Sequence, residues 1–496
     1  MSMKFPRFNE EKLNIYTALF NQIITIVCGI FLPRILIGSF GSEAYGISVS
    51  IAQFLSYITL LEGGIGGVAR AELYGPLAKK DADATGAVYY AIKRFFNHVA
   101  AIFVVYSLGL GLVYYSLAHV KIFTRTYVFM LVVVISLATL AKYVGGLTNL
   151  ILIVASKKQY INNLIMTATT LINVIAVALL VYWGCDLIWV KLGSSLIFIV
   201  RPILYSIYVK KNYCLPAKVK KRTILEQKWT GIGQHIAYFL HKNTDVVLLT
   251  LLADLRLVAV YSVYNMIISN IRSLTESFSS GMEAVFGELL AKGEFAALQK
   301  AFQKYKVLLS AASLILFCCT GILIVPFVKL YTNGITDADY IQPVFAIVLL
   351  LAEAINCLAL PCSCLTVAAN HLKQSKWGSY FEAIINIVVS LLLIQWNPLI
   401  GVALGTLVAT AFRGLYYMVY SSKHILCCPI FPQILTFLGN ICLLCLAIVG
   451  GGKLIMSVQM SSFFQWIKCG VAVFISVFIP VAGTAYLYIK HGCSLR

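Results

Sequence analysis

Eight ionisable residues in or at the ends of long apolar stretches of this sequence could do chemistry, because water does not readily solvate a charge in such a stretch. An ionised side chain at the centre of a membrane span is unfavourable by at least about 2.5 kcal/mol, so one that is kept there is expected to be functional or paired. The cationic residues are Lys142, Lys242, Arg272 and Arg34. The acidic residues are Asp245, Glu353, Glu276 and Glu62.

The cationic side chains predict a cavity that binds an anion. Lys142, Lys242 and Arg272 fall at similar depth on three different predicted spans. Arg34 follows a proline at the outer end of the first span. Several cationic donors together can replace the hydration that an anionic group such as a phosphate loses on entering a protein. We therefore expect these four residues to bind the substrate.

The acidic side chains leave two interpretations open. They could accept hydrogen bonds from the cations, or some of them, chiefly Asp245 and Glu353, could bind the H⁺ or Na⁺ that drives transport. The purely structural alternative is that pairs such as Lys242 with Asp245, or Arg272 with Glu276, only fix the packing of neighbouring helices.

Enzyme chemistry is not indicated. The sequence shows no nucleophile with a spaced base, no metal-ligand spacing and no nucleotide-binding motif. Its 14 cysteines lie mostly in apolar runs, which favours buried structural thiols. We expect no catalytic residue, no metal and no cofactor. The energy source is then an ion gradient, the membrane potential or the flux of substrate.

The composition is that of a membrane protein. Of 496 residues, 60% are hydrophobic and 12% charged, with a mean hydropathy of +0.87. A soluble chain carries about 25% charged residues, and a spanning helix needs about 20 apolar ones. Fourteen spans are predicted, near 13–33, 44–66, 95–117, 127–150, 161–183, 187–208, 230–252, 257–282, 307–327, 341–367, 380–396, 399–420, 433–451 and 466–488.

The distribution of basic residues predicts the orientation. With the N-terminus in the cytoplasm, 26 of the 39 Lys and Arg residues lie in cytoplasmic segments and 8 in external ones. Positive residues collect in cytoplasmic loops, so both termini are predicted to be cytoplasmic. This bias accounts for most of the net charge of +20 without any nucleic acid partner.

An internal repeat organises the chain. At an offset of 213 or 212 residues, matched pairs recur as Val154/Val367, Ala155/Ala368, Asn173/Asn386, Trp183/Trp396, Gly193/Gly405, Arg201/Arg413, Tyr205/Tyr417, Tyr208/Tyr420 and Lys211/Lys423. The offset contains six spans, so both halves enter the membrane from the same side. The recurring Arg and Tyr residues are interpreted as anchors at the membrane interface, with Arg reaching outward.

The predicted fold is therefore an all-α membrane protein of about 14 transmembrane helices. Two parallel six-helix lobes are related by a pseudo-two-fold axis along the membrane normal, and two C-terminal helices follow. The predicted boundaries are 1–209 for the N-lobe, 210–228 for a basic cytoplasmic linker, 229–426 for the C-lobe, and 427–496 for the last two spans and a tail.

Four stretches resemble a known family. They are FLPRILIGSFGSEAYGI (31–47), EGGIGGVARAELYGPLAKKD (62–81), NTDVVLLTLLADLRLVAVYSVYNMI (243–267) and LTVAANHLKQSKWGSYFEAIINIVVSLLLI (365–394). In order and spacing they are similar to the Wzx-type polysaccharide or O-antigen flippases of the MOP (multidrug/oligosaccharidyl-lipid/polysaccharide) superfamily, whose fold is MATE-like. Many O-antigen flippases are described with twelve spans, so the last pair is a departure from the family.

The resemblance implies a function. Such flippases move an undecaprenyl-pyrophosphate-linked oligosaccharide across the bacterial cytoplasmic (inner) membrane through a cationic central cavity, for O-antigen, capsule or exopolysaccharide synthesis. It implies as partners a polyprenyl-pyrophosphate-linked glycan, membrane lipids, and a polysaccharide polymerase with glycosyltransferases. A cation-coupled multidrug exporter of the same superfamily and a lipid II flippase, which also has fourteen spans, stay open as alternatives.

Overall fold

A computed structural model describes residues 10–63, 65–216, 232–277, 279, 281–456 and 460–492, and these are nearly all helical. The chain forms two compact units, Met1–Ile236 and Ala237–Arg496. Residues 217–228 of the predicted linker and both chain ends lie outside the described residues. The predicted linker and the predicted cytoplasmic position of the termini therefore stay predictions.

The first unit is built from seven complete helices. They are α1 (Glu10–Ser56), α2 (Ile65–Ala78), α3 (Ala82–Leu117), α4 (Arg125–Ala141), α5 (Leu147–Ala155), α6 (Gln159–Tyr182) and α7 (Leu187–Asn212). A 3-10 turn, Tyr57–Glu62, follows α1, and a π-helical turn, Lys142–Gly146, joins α4 to α5.

The second unit contains the remaining helices. They are α8 (Ile232–Leu252), whose first residues precede the unit, α9 (Leu255–Ser277), α10 (Met282–Lys292), α11 (Phe295–Tyr331), α12 (Pro343–Ala368), α13 (Leu372–Leu393), α14 (Pro398–Ser421), α15 (Phe431–Met456) and α16 (Phe463–Gly492). A second π-helical turn, Ser422–Leu426, follows α14.

Eleven helical runs in the described ranges are long and apolar enough to cross a membrane. The first, Glu10–Glu62, holds two predicted spans, separated where Gly41 takes φ 85° and breaks the helix. The predicted seventh and eighth spans correspond to α8 and α9, which are helical but too polar to be among the eleven. Their polar side chains are expected where a helix faces other protein rather than lipid.

Side-chain capping determines where several helices begin. Asp81, Thr124, Asp186 and Asn397 each accept a hydrogen bond from a backbone N–H in the first turn of α3, α4, α7 and α14. Such a cap satisfies an N–H that has no partner within the helix and contributes about 1 kcal/mol.

The described helices expose many large apolar side chains and bury a number of polar ones alongside their hydrophobic core. Leu392, Val105 and Leu446 are 68%, 73% and 75% exposed, whereas Thr366 and Asn386 are fully buried. A water-soluble protein does not expose so much continuous apolar surface. This arrangement fits a multi-pass membrane protein, in which lipid contacts the apolar surface and polar groups satisfy one another inside.

The residues of the repeat occupy matching environments in the two units. Asn173 and Asn386 are both buried. Gly193 and Gly405 stand where α7 meets α6 and where α14 meets α13, so that a Cβ at either position would clash with the neighbouring helix. This agreement supports the repeat as a structural unit and not a chance similarity of apolar helices.

For Arg201, Arg413, Tyr205 and Tyr417, the interpretation as outward-reaching interface anchors was wrong. Tyr205 and Tyr417 are only 5% and 6% exposed. Arg201 and Arg413 donate to side chains of the adjacent helix inside their own units and do not reach outward. The reason is that hydrogen-bond acceptors on α6 and α13, the Thr169 hydroxyl and the Glu382 carboxylate, lie within reach of these guanidinium groups.

Candidate functional site

Asp245 lies at the centre of a buried polar cluster in the second unit. Its side chain, on α8, is 3% exposed. One carboxylate oxygen, Oδ2, accepts hydrogen bonds from the Tyr261 hydroxyl and the Thr406 hydroxyl, each at 2.9 Å. Asn386 donates in turn to the Thr406 hydroxyl at 3.0 Å. The cluster therefore joins α8, α9, α13 and α14.

Several oxygen atoms of this cluster have no hydrogen-bond donor. They are Asp245 Oδ1, Asn386 Oδ1 and Ser390 Oγ, all buried. Among the described residues, no cationic side chain lies within ion-pair distance of Asp245. Oxygen atoms alone are the ligands that hard cations such as Na⁺ accept, and a proton on the carboxylate would also remove the buried charge. The arrangement is thus chemically suited to H⁺ or Na⁺.

Arg272 forms the most buried ion pair of the second unit. Its guanidinium Nη1 donates to Glu353 Oε1 at 2.7 Å, joining α9 to α12, and the two side chains are 12% and 10% exposed. Its Nε lies 3.4 Å from Glu276, one turn further along α9, which is 40% exposed. Two carboxylates thus balance one guanidinium. The contact between Arg272 and Glu276 is one of the two pairs that the sequence analysis named as pairs that only fix helix packing.

Lys142 and Glu62 form the corresponding contact in the first unit. The Lys142 Nζ lies 3.3 Å from Glu62 Oε1, with side-chain exposures of 45% and 23%. The buried Tyr143 hydroxyl also donates to Glu62. Gly145, at φ 89°, opens the π-helical turn in which Lys142 and Tyr143 lie, a conformation that favours glycine.

The two ion pairs join nearly equivalent positions of the repeat with reversed charge, at offsets of 210 residues for Glu62 and Arg272 and 211 for Lys142 and Glu353. Glu62 precedes Lys142 by 80 residues, and Arg272 precedes Glu353 by 81. In each unit the pair joins the second span to the fourth. The first unit carries the acid on its second span, whereas the second unit carries the base there. In both units an ion pair thus joins the same two spans, and the acidic and basic partners are exchanged between the units.

Lys142 also lines a cavity inside the first unit. The cavity, of about 290 Å³, lies between α4, α6 and α7, and Asn162, Arg201 and Tyr205 are among its lining residues. Tyr205 donates to Asn162 at 2.7 Å. Gly146 lies against Pro202, so the break after Lys142 lets the fourth span approach α7 closely.

The remaining predicted cations are placed separately. Arg34 is half-buried on α1, and Lys242 is exposed on α8, one turn before Asp245. The pairing of Lys242 with Asp245 in the packing alternative is not seen, since Asp245 is held by Tyr261 and Thr406. The predicted convergence of Lys142, Lys242, Arg272 and Arg34 on one cavity stays a prediction.

Sequence reasoning missed three residues of these clusters. Thr406, Asn386 and Arg201 supply contacts to Asp245 or line the cavity of the first unit. The repeat itself carried the signal for Asn386 and Arg201, because a polar residue that recurs in register inside apolar helices is expected to have a partner. Thr406 has no such signal, since threonine is common in membrane helices.

Comparison with known proteins shows the fold. No protein-family model matches the sequence, and no curated protein does. A structure of the lipid II flippase MurJ in an inward closed conformation covers 98% of this chain and 100% of its own, with a TM-score of 0.73 and 14% identity. An inward-facing MATE multidrug resistance transporter of the MOP superfamily covers 81% of this chain and 95% of its own, with a TM-score of 0.60 and 13% identity. A eukaryotic MATE transporter covers 87% of this chain and 99% of its own, with a TM-score of 0.61 and 13% identity.

These likenesses confirm the predicted fold class, an all-α, MATE-like membrane protein. They do not single out the Wzx-type flippases within the superfamily. The chain has the fold shared by the lipid II flippase MurJ and the MATE transporters of the MOP superfamily.

Proposed function

We propose that this chain is a flippase for a polyprenyl-pyrophosphate-linked oligosaccharide, working by alternating access in the bacterial cytoplasmic membrane. The substrate is an undecaprenyl-linked repeat unit of O-antigen, capsule or exopolysaccharide. The observation that supports this most is the likeness to a lipid II flippase along 98% of the chain. A fold that moves one large lipid-linked head group is suited to another.

The physical task explains the need for buried charge. The polyprenyl tail can stay in the bilayer, whereas a pyrophosphate and its sugars cannot cross hydrocarbon unaided. Lys142, Lys242, Arg272 and Arg34 are the proposed contacts for the head group. Arg272 and Lys142 are now paired with carboxylates, so an incoming phosphate would exchange with a carboxylate as the partner of each cation.

Asp245 is the proposed coupling residue. A buried carboxylate with an unpaired oxygen beside the unpaired Asn386 and Ser390 oxygens favours a cation. Binding of H⁺ or Na⁺ there would tighten the contacts between α8, α9, α13 and α14, and release would loosen them. Glu353 and Glu276 balance Arg272, and Glu62 balances Lys142, as ion-pair partners.

Two alternatives are tied to particular observations. A lipid II flippase is favoured by the same structural likeness and by the two C-terminal spans. A multidrug exporter is favoured by the MATE likenesses. The proposed cationic contacts, Lys142, Lys242, Arg272 and Arg34, count against an exporter of cationic drugs, which needs an acidic or apolar binding site.

Deletion of the gene in its own bacterium separates these functions. We expect the surface polysaccharide to disappear and lipid-linked repeat units to accumulate in the inner leaflet, while cells continue to divide. Lysis on depletion would instead support a lipid II flippase. Sensitivity to ethidium with normal surface glycan would support an exporter. The proposed partners are the glycosyltransferases that supply the repeat unit and the polymerase that consumes it.

A further inference from the structure

Arg201 and Arg413 occupy equivalent positions of the repeat but donate hydrogen bonds to different kinds of acceptor. In the second unit, Arg413 on α14 donates to Glu382 on α13 at 3.2 Å, and the Glu382 side chain is 2% exposed. In the first unit, Arg201 on α7 donates to the Thr169 hydroxyl on α6 at 2.7 Å. Thr169 and Glu382 are related by the repeat offset of 213. The position that holds a carboxylate in one unit therefore holds a hydroxyl in the other.

Arg201 consequently donates to a neutral group where Arg413 donates to a charged one. Its second bond, from Nη2 to the Thr170 hydroxyl at 3.0 Å, is also to a neutral group. Among the residues that the structure describes, no carboxylate lies within ion-pair distance of Arg201. Two of the five guanidinium N–H donors are used, so three remain for a ligand. The Phe198 ring, 4.4 Å from the guanidinium carbon, supports its plane.

The cavity of the first unit provides room for that ligand. Arg201 and Lys142 are its charged lining residues, and Thr139 and Asn162 add polar side chains. None of the described residues that line it is acidic. Its volume of about 290 Å³ lies at the lower end of the range for small-molecule sites, about 300–1,000 Å³. This space suits a phosphate or a pyrophosphate and is too small for an oligosaccharide.

We infer that this cavity binds a phosphate group, with Arg201 as its principal ligand and Lys142 as the second. Arg offers paired donors that match the oxygens of a phosphate, and Lys adds a point charge. The phosphate belongs either to a lipid head group or to a soluble anion. The site deepens the proposed function, because it would hold the phosphate end of a lipid-linked substrate, and it rests on that proposal for the biological ligand alone.

A pair of substitutions at one position tests this inference. Thr169→Glu places a carboxylate beside Arg201, as Glu382 stands beside Arg413 at a nearly equal sequence separation of 31 against 32 residues. Thr169→Gln has the same size without the charge and is the matched control. Arg201→Gln removes the principal ligand directly. All variants are purified as full-length chains and checked for helicity and for monodispersity by gel filtration.

Binding is measured with two probes that distinguish the sources of phosphate. Calorimetric titration with pyrophosphate in detergent detects a soluble anion. Native mass spectrometry of protein from nanodiscs of phosphatidylglycerol or phosphatidylcholine detects a retained anionic lipid. A hydrogen bond to a charged group contributes about 1.5–3 kcal/mol, so T169E and R201Q should each weaken binding at least about tenfold. T169Q should bind like the unchanged protein.

Saturable pyrophosphate binding that depends on Arg201 supports the inference, with a soluble anion or the pyrophosphate of a substrate as ligand. Retention of phosphatidylglycerol alone, lost in T169E, supports it with a lipid head group as ligand. Binding of neither probe by the unchanged protein would overturn it, as would equal binding by folded T169E and T169Q. The assay involves no transport, so failure of the flippase proposal leaves its result unaffected.

Discussion

Replacement of Arg272 by Ala should be far more damaging than the corresponding loss of Lys142 in the first unit. The substitution leaves Glu353 buried at 8% exposure, with only a weak contact from Asn356 Nδ2 at 3.4 Å. Removing one partner of a buried pair leaves an uncompensated charge and destabilises a protein by about 3–5 kcal/mol. Glu276 contributes little to this figure, because it is 40% exposed.

The expected change can be measured as a melting temperature. For a domain of this size, 1 kcal/mol corresponds to about 2–4 °C, so R272A should lower the melting temperature by about 6–20 °C. The assay is thermal unfolding of the purified chain in one detergent, followed by the loss of monodisperse protein. Lys142→Ala is the matched control. It should shift the transition much less, because Lys142 is 45% exposed and Glu62 keeps the hydrogen bond from Tyr143.

Exchanging the two charges of the Arg272–Glu353 pair tests its role more directly than R272A or K142A does. R272E/E353K gives the second unit the polarity of Glu62 and Lys142, so the double variant should regain most of the stability that R272A loses. The acidic side chain introduced on α9 would stand one turn from Glu276, a like-charge contact unfavourable by about 0.2–0.5 kcal/mol. If R272A melts within 2 °C of the unchanged protein, or if the swap is no more stable than R272A, the pair does not hold α9 to α12.

Three further predictions follow from the same contacts. Asp245→Asn keeps the size of the side chain but not its charge, so the protein should fold and reach the membrane while surface glycan falls at least about tenfold, as measured by immunoblotting; full glycan would contradict the coupling role. Lys142→Ala and Arg272→Ala should each reduce the surface glycan made per molecule of flippase in the membrane, with the amount of each variant measured by immunoblotting because R272A is destabilised; full glycan with both changed would refute their role in substrate binding. Gly405→Ala would place a Cβ 1.9 Å from Ser390 Oγ and 2.9 Å from the Asn386 backbone oxygen, and this overpacking should lower the free energy of unfolding by about 1–3 kcal/mol. Adding Ser390→Ala to that variant should restore only part of the lost stability, since the backbone contact remains. Complete recovery would contradict this account.

The positions of the helices were largely predictable from the sequence. Membrane spans need a run of apolar residues of a set length, and that requirement acts on each segment separately. Hydropathy therefore located the eleven apolar runs, including the two spans that Gly41 separates within the first of them, and the predicted seventh and eighth spans correspond to the more polar helices α8 and α9. The repeat was also readable, because Asn173 and Gly193 recur in register at Asn386 and Gly405.

The roles of the repeated Arg and Tyr residues were not predictable in the same way. An arginine near a helix end can reach the headgroups or an acceptor on the adjacent helix, and the sequence of its own helix is compatible with both. The acceptors for Arg201 and Arg413 lie 31–32 residues earlier in the chain, on α6 and α13. Only the packing of those helices against α7 and α14 decides between the two outcomes.

The sequence alone determined that Asp245, Glu353, Arg272, Lys142 and Glu62 lie in predicted membrane spans, because a charge in an apolar run is recognisable from its neighbours. Which charge meets which was decided by tertiary structure. Partners 80 and 81 residues apart are brought together by helix packing, and the free energy of each pair depends on distances and burial that no local pattern contains. For the same reason, an unpaired oxygen at Asp245 and an arginine beside threonine hydroxyls became visible only once the helices were assembled.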